Sequence, residues 1–211
     1  MLELTKETIH FFLKCISPKE YSLHLFEPNI RLFNRLKNKF PKNTHIHNNA
    51  LGEKTEKVNF YSKSDLNDTG SSSIVNHYYL DKVDEVSMIT LDDFVYENKI
   101  KNIDFIKIDV EGYEVPILNG ASKSLKNGIF KFIQIEYSQQ WVEVGGSLKK
   151  VLELISEFDY SLYRIKSNKL IKISKYSFLL EDFVYCNFLL AKNDEQLPMK
   201  MSKKSPLPFE I

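Results

Sequence analysis

The sequence predicts an α/β fold, a mostly parallel sheet with helices on both faces and an antiparallel edge. Three observations carry this. Ile103 to Ile108 is an apolar run that closes on Asp109-Val110-Glu111-Gly112 and leads into a helical pattern, the strand–turn–helix unit of a parallel sheet buried on both faces. Strand and helix patterns alternate through the first half of the chain. The last two strand patterns, Tyr160 to Ile165 and Phe183 to Ala191, have no long helix between them and are expected to pair antiparallel.

The elements follow in order. Thr5 caps a helical pattern carrying Ile9, Phe12, Leu13 and Ile16, which Pro18 stops. Tyr21 to Phe26 reads as a strand ending at Glu27-Pro28-Asn29. A helix with Ile30, Phe33, Leu36 and Phe40 on one face runs to Pro41. Thr44 to Asn48 is a strand closed by Asn49-Ala50-Leu51-Gly52, and Val58 to Ser62 alternates as an accessory strand. Residues 64 to 77, with Gly70 and the serines 71 to 73, are loop formers. Val86 to Ile89 is a strand, and Thr90 with Asp93 has capping-box spacing before a short helix. After the Ile103 strand, Pro116, Ile117, Leu118, Ala121 and Leu125 keep helical spacing up to Asn127-Gly128. Phe130 to Tyr137 is apolar and ends near Glu136. Ser147 caps a helix bearing Leu148, Val151, Leu152, Ile155 and Phe158.

With 211 residues, 43% apolar and 27% charged, the chain is of ordinary globular composition. Residues 1–191 are expected to form one domain and 192–211, rich in Lys and Pro, a disordered tail. A formal charge of +1 sets up no field toward nucleic acid. No membrane span and no secretion signal are read, so we expect a cytoplasmic protein. Cys15 and Cys186 read as buried fillers rather than disulfide partners. Composition leaves the oligomeric state open.

The residues that carry chemistry sit at strand ends. Glu27 either accepts the ribose hydroxyls of a nucleoside or is an acid at a solvated helix N-terminus. Asn48-Asn49-Ala50 either offers an amide to an adenine edge beside a small residue or is a turn. Asp109 and Glu111, two apart, are expected on one side of the strand exit, with Glu136 at the end of the neighbouring strand. Three converging carboxylates repel and raise one another's pKa unless a cation, metal or donor-rich ligand relieves them. Lys107, in an apolar strand, reads as an internal ion pair or a catalytic group. His45 and His47 lack further ligands at metal spacing, so no zinc site is read. His77 with Tyr78 and Tyr79, and Trp141, either line a substrate mouth or form surface aromatic patches.

Five blocks taken together resemble the FkbM-type S-adenosylmethionine-dependent methyltransferases. They are Phe26-Glu27-Pro28-Asn29, Asn49-Ala50-Leu51-Gly52-Glu53, Thr90-Leu91-Asp92-Asp93-Phe94, Phe105 to Glu114, and Leu118-Asn119-Gly120-Ala121. The resemblance covers residues 20 to 140. It implies a class I methyltransferase (Rossmann-like) sheet, S-adenosyl-L-methionine as cofactor, and methyl transfer to a hydroxyl of a sugar or small metabolite. A divalent metal is left open. By that resemblance Glu27 holds the ribose, Asn49 and Ala50 flank the adenine, and Asp109 and Glu111 face donor and acceptor, with Lys107 and Glu136 as further candidates for base, orienter or metal ligand.

The family's opening strand and its glycine-rich turn have no counterpart; the first glycine is Gly52, and the dinucleotide glycine fingerprint is absent. Removing that strand from the sheet leaves about five backbone groups unpaired on each neighbour. At roughly 1 kcal/mol per net bond this is about 10 kcal/mol, against about 5–15 kcal/mol for a whole domain. We expect an upstream start, a degenerate fragment, or direct pairing of the Tyr21 and Ile103 strands. A catalytically inactive remnant is the second functional reading, and an NAD-type nucleotide-binding domain the third.

Overall fold

Among the residues that the computed structural model describes, nine strand pairings define the architecture, and they divide into three sheets. The structure describes residues 22–37, 39–40, 44–64, 72–166, 169–197 and 201–202. The expected Thr5 helix, His10, Cys15 and the loop around Gly70 lie outside them.

β1 (Leu23–Phe26) pairs in parallel with β2 (Thr44–His47), and α1 (Ile30–Lys37) connects them. The second sheet has the order β3-β6-β4-β5, from β3 (Ala50–Leu51), β4 (Glu56–Ser62), β5 (Ser72–Ser73) and β6 (Lys82–Ile89). The third has six strands. β7 (Ile103–Ile108) lies at its edge beside β8 (Phe130–Tyr137), followed by β11 (Cys186–Lys192), β9 (Tyr160–Lys166), β10 (Lys169–Ile173) and β12 (Met201–Ser202).

The fold is mixed α/β: among the described residues four pairings are parallel and five antiparallel, so the expected mostly parallel sheet is only partly present. The antiparallel Tyr160–Phe183 region forms as expected, with β11 between β8 and β9. One expectation fails, and of the three alternatives for the opening strand direct pairing is not seen among the described residues. β7 is not buried on both faces: only Ile108 is fully buried in it, because among the described residues it has a strand partner on one side alone. Nor do β1 and β7 pair directly; β1 stays in its own two-stranded sheet. Next to β7, one strand in from that edge, β8 has seven of its eight residues buried.

Local chemistry explains the helices. Thr90 caps α2 (Leu91–Glu97) by accepting the Asp93 N–H at 2.9 Å. The Asp93 carboxylate does not close a capping box; it accepts from the Thr55 hydroxyl instead. The helical pattern after Glu114 divides into α3 (Glu114–Asn119) and α4 (Ser122–Lys126) at Gly120 and Ala121. Asp92 holds the start of α4, its carboxylate accepting the Lys123 N–H at 2.9 Å and the Ser124 N–H at 2.8 Å. Ser147 caps α5 (Leu148–Ser156) through the Lys150 N–H at 3.2 Å. The main core packs Leu118 and Leu125, Leu148 and Val151, and Ile133, Ile135 and Phe188 of the sheet. Trp141 is fully buried in it and donates to the Glu136 carbonyl at 3.0 Å, so it is neither mouth nor surface patch. Among the described residues no helix is long and apolar enough to cross a membrane.

Gly120 is a point of close backbone approach. A Cβ placed there would stand 2.0 Å from the Gly52 carbonyl oxygen, and backbone cannot swing aside as a side chain can. Gly120→Ala is expected to cost about 2 kcal/mol or more, read as a fall of about 4–8 °C in melting midpoint.

Candidate active site

The register of β7 against β8 builds the acidic end of the site. Phe105 pairs with Phe132, Lys107 with Gln134 and Ile108 with Ile135. Ile108 and Ile135 therefore face the core, while Lys107 and Gln134 share the opposite face. One step beyond the ladder, the same alternation brings Asp109 beside Glu136. Lys107 Nζ lies 2.7 Å from Asp109 Oδ2, both largely buried. The internal ion pair expected for Lys107 is thus formed.

Glu136 accepts from the Tyr185 hydroxyl. Burial, then the neighbouring Asp109, pushes its pKa up to about 7. Glu111 reaches the same region by a different route from the one alternation suggests. The strand ends at Ile108, and Glu111 lies in a turn with φ +56°. Its carboxylate accepts from Gln140 Nε2 at 3.2 Å. Burial first, then Asp109, raises its pKa.

The turn is held by a residue the sequence reading did not single out. Glu114 is 1% exposed. Its Oε1 accepts the Val110 N–H at 3.0 Å and its Oε2 the Gly112 N–H at 3.1 Å. Burial pushes its pKa up to about 8 against the pull of these donors. The available signal was its place in the first turn of a helix, where a carboxylate finds free N–H groups. His77, expected at a mouth or on the surface, is 2% exposed. Its neighbour Tyr78 is 98% exposed.

Across from the acidic turn, Glu27 ends β1. It is 7% exposed, and its Oε1 accepts the Asn29 N–H at 2.8 Å. Burial raises its pKa and that donor lowers it. Asn48 is used structurally, donating to the carbonyls of Glu27 and Pro28 at 2.9 and 3.0 Å. That contact fixes the strand end and leaves Asn49 and Ala50 facing inward.

One hollow joins Glu27, Asn49 and Ala50 to Asp109 and Glu111, with Phe26 and Tyr113 also lining it. It encloses about 90 Å³, below the ~300–1,000 Å³ of a typical ligand pocket. Lys107 and Glu136 lie outside its lining. Among the described residues no three histidine, cysteine or carboxylate side chains converge to hold a metal.

A carboxylate beyond one strand and an acidic turn beyond another are joined by one hollow, the position at which α/β folds commonly bind ligands. The sequence matches the methyltransferase FkbM domain over residues 5–162, and the chain belongs to that family. The crystal structure of methyltransferase FkbM from Methylobacillus flagellatus KT is similar at 16% identity and a TM-score of 0.47, over 87% of this chain. The chain spans 40% of the length of that protein. No curated protein matches the sequence.

The raised carboxyls make stability depend on pH. An acid whose folded pKa exceeds its unfolded value binds more protons when folded, so its contribution is full below the unfolded pKa and is lost as pH rises through the folded one. For Glu136 that window runs from 4.5 to about 7, and for Glu114 from 4.5 to about 8. Glu136→Gln fixes the neutral form. Urea melts are expected to show it more stable than the native chain at pH 8, by about 1–3 kcal/mol, and no more stable at pH 4.5.

Proposed function

We propose that this chain is an S-adenosyl-L-methionine-dependent methyltransferase acting on a hydroxyl of a sugar or other small metabolite. The observation that supports it best is the single hollow running from Glu27 to Asp109 and Glu111.

The donor set suits the nucleoside end of the cofactor. Glu27 is a buried acceptor for ribose hydroxyls, with one oxygen already fixed by Asn29. Ala50, 4% exposed, leaves room for a flat base, and Asn49 offers an amide to its edge. The bound cofactor would supply an already activated sulfonium methyl group. The chain's own part is to align an acceptor oxygen and to remove its proton. Asp109, ion-paired with Lys107, acts as orienter. Glu111 is the better base, because burial and Asp109 raise its proton affinity while it stays on the hollow. Glu136, beside Asp109 but off the hollow, adds negative charge there only in its ionised form, above about pH 7.

Calorimetric titration with S-adenosylmethionine and S-adenosylhomocysteine tests the first part. Binding is expected with both, and Glu27→Ala should weaken it at least about tenfold, equivalent to 1.4 kcal/mol. A folded chain that gives no heat with either ligand rejects the reading. With radiolabelled cofactor and a panel of sugars, Asp109→Asn is expected to abolish transfer while the chain still folds by circular dichroism, with a lowered melting midpoint because Lys107 loses its ion partner. Full turnover in that variant removes Asp109 from the machinery.

A further inference from the structure

The acidic turn is bound on its carbonyl side by a segment that the proposed reaction does not use. Ser73 Oγ donates to the carbonyls of Val110 and Glu111 at 3.3 and 3.2 Å. His77 Nε2 lies 3.1 Å from the Glu111 carbonyl, and His77 Nδ1 lies 2.9 Å from Glu143 Oε2. A carbonyl can only accept, so Nε2 carries a proton. A second proton must lie between Nδ1 and the Glu143 carboxylate, since neither can otherwise approach the other so closely. The ring is buried, and Tyr79 stacks on it at 5.4 Å between centroids. Lys63 lies 5.7 Å from that tyrosine ring. Glu111, Glu143 and Lys63 are thus the charged groups around it.

Glu111 adopts φ +56°, a left-handed conformation that side chains other than glycine rarely take. Gly112 follows at φ +106°, where a Cβ would stand 2.8 Å from the Gln140 carbonyl oxygen. Gln140 and Glu143 share one 3₁₀ turn, Gln139–Val144. That turn therefore grips the Glu111 carboxylate through Gln140 and the His77 ring through Glu143. If the Glu111 peptide relaxed to a right-handed conformation, its carbonyl would leave His77 and its carboxylate would leave Gln140.

We propose that His77 is a positioning residue: through the Glu111 carbonyl it holds that peptide left-handed and so aims the Glu111 carboxylate into the hollow, with Glu143 fixing the ring. The hold rests on this geometry; its consequence for methyl transfer rests on the methyltransferase reading of the hollow. His77 also opposes the rise in Glu111 proton affinity that burial and Asp109 produce.

The test uses the full chain, with amide exchange at Gly112, titration of the Glu111 carboxyl carbon by NMR, and S-adenosylhomocysteine affinity. In His77→Phe we expect Gly112 exchange to speed at least tenfold, the Glu111 titration to move to higher pH, and affinity to fall about tenfold. His77→Gln keeps an N–H donor but no charge. It should restore Gly112 protection to within threefold while the Glu111 titration stays displaced upward, a split that a merely structural role would not produce. Native exchange and titration in His77→Phe overturn the proposal. If that variant does not fold, Glu143→Gln takes its place: faster Gly112 exchange supports the hold and unchanged exchange overturns it. A native chain that binds no S-adenosylhomocysteine sinks the methyltransferase reading alone, because exchange and titration still decide the hold.

Discussion

The site depends on one carboxylate that never reaches it. Glu114 accepts the N–H groups of Val110 and Gly112, one on each oxygen. Those donors belong to a turn in which two successive residues have positive φ. A left-handed non-glycine residue costs roughly 1–2 kcal/mol, and the turn persists only because its surroundings determine it from several directions. Glu114 binds the N–H side, and Ser73 and His77 bind the carbonyl side. A bare acid sequestered at 1% exposure is unfavourable in itself. Two aligned backbone donors offset part of that cost, while burial still holds the pKa at about 8.

The carboxylates on the other side of the turn follow from sheet register rather than from the turn. Parallel pairing of Lys107 with Gln134 leaves Asp109 and Glu136 as lateral neighbours. Lys107 compensates Asp109 at 2.7 Å. Glu136 has the Tyr185 hydroxyl as its hydrogen-bond partner, and Lys107 only partly offsets the burial and the Asp109 charge that raise its pKa to about 7. A group poised near neutrality is one that can take a proton without a large free-energy change.

Features determined by nearby residues were legible in the sequence. Phe130–Tyr137 forms over the expected span, and Ser147 and Thr90 cap the helices they precede. These depend on chain neighbours alone. What was hidden depends on distant partners. Apolar content marked Ile103–Ile108 as a doubly buried strand, but burial needs a second neighbour, which local pattern does not report. Alternation placed Asp109 and Glu111 on one side, yet the ladder stops before either. His77 sits among tyrosines and serines that read as loop, and its burial comes from Glu111 and Glu143, 34 and 66 positions away in the chain. Glu27 and Asp109, separated by 82 positions, line one hollow, each just beyond a strand end.

How those two strands are kept in relation is the last constraint. Among the described residues no ladder links β1 to β7. Side chains do part of that work. His45, His24, His47 and Phe26 stack in one row, with centroids 4.7, 5.3 and 4.7 Å apart. Phe94 of α2 stands edge-on to His24, His47 and Phe26 and belongs to the main core. His24 Nδ1 and His47 Nε2 are 3.0 Å apart and can share only one proton. Burial, followed by the neighbouring histidines, lowers the pKa of His24, and the same order of causes holds for His47. A backbone ladder fixes strand spacing near 4.8 Å. The ring row adds to the β1–β2 ladder and reaches the main core through Phe94, so aromatic packing on α2, rather than a shared ladder, ties the Glu27 strand end to the body that carries β7.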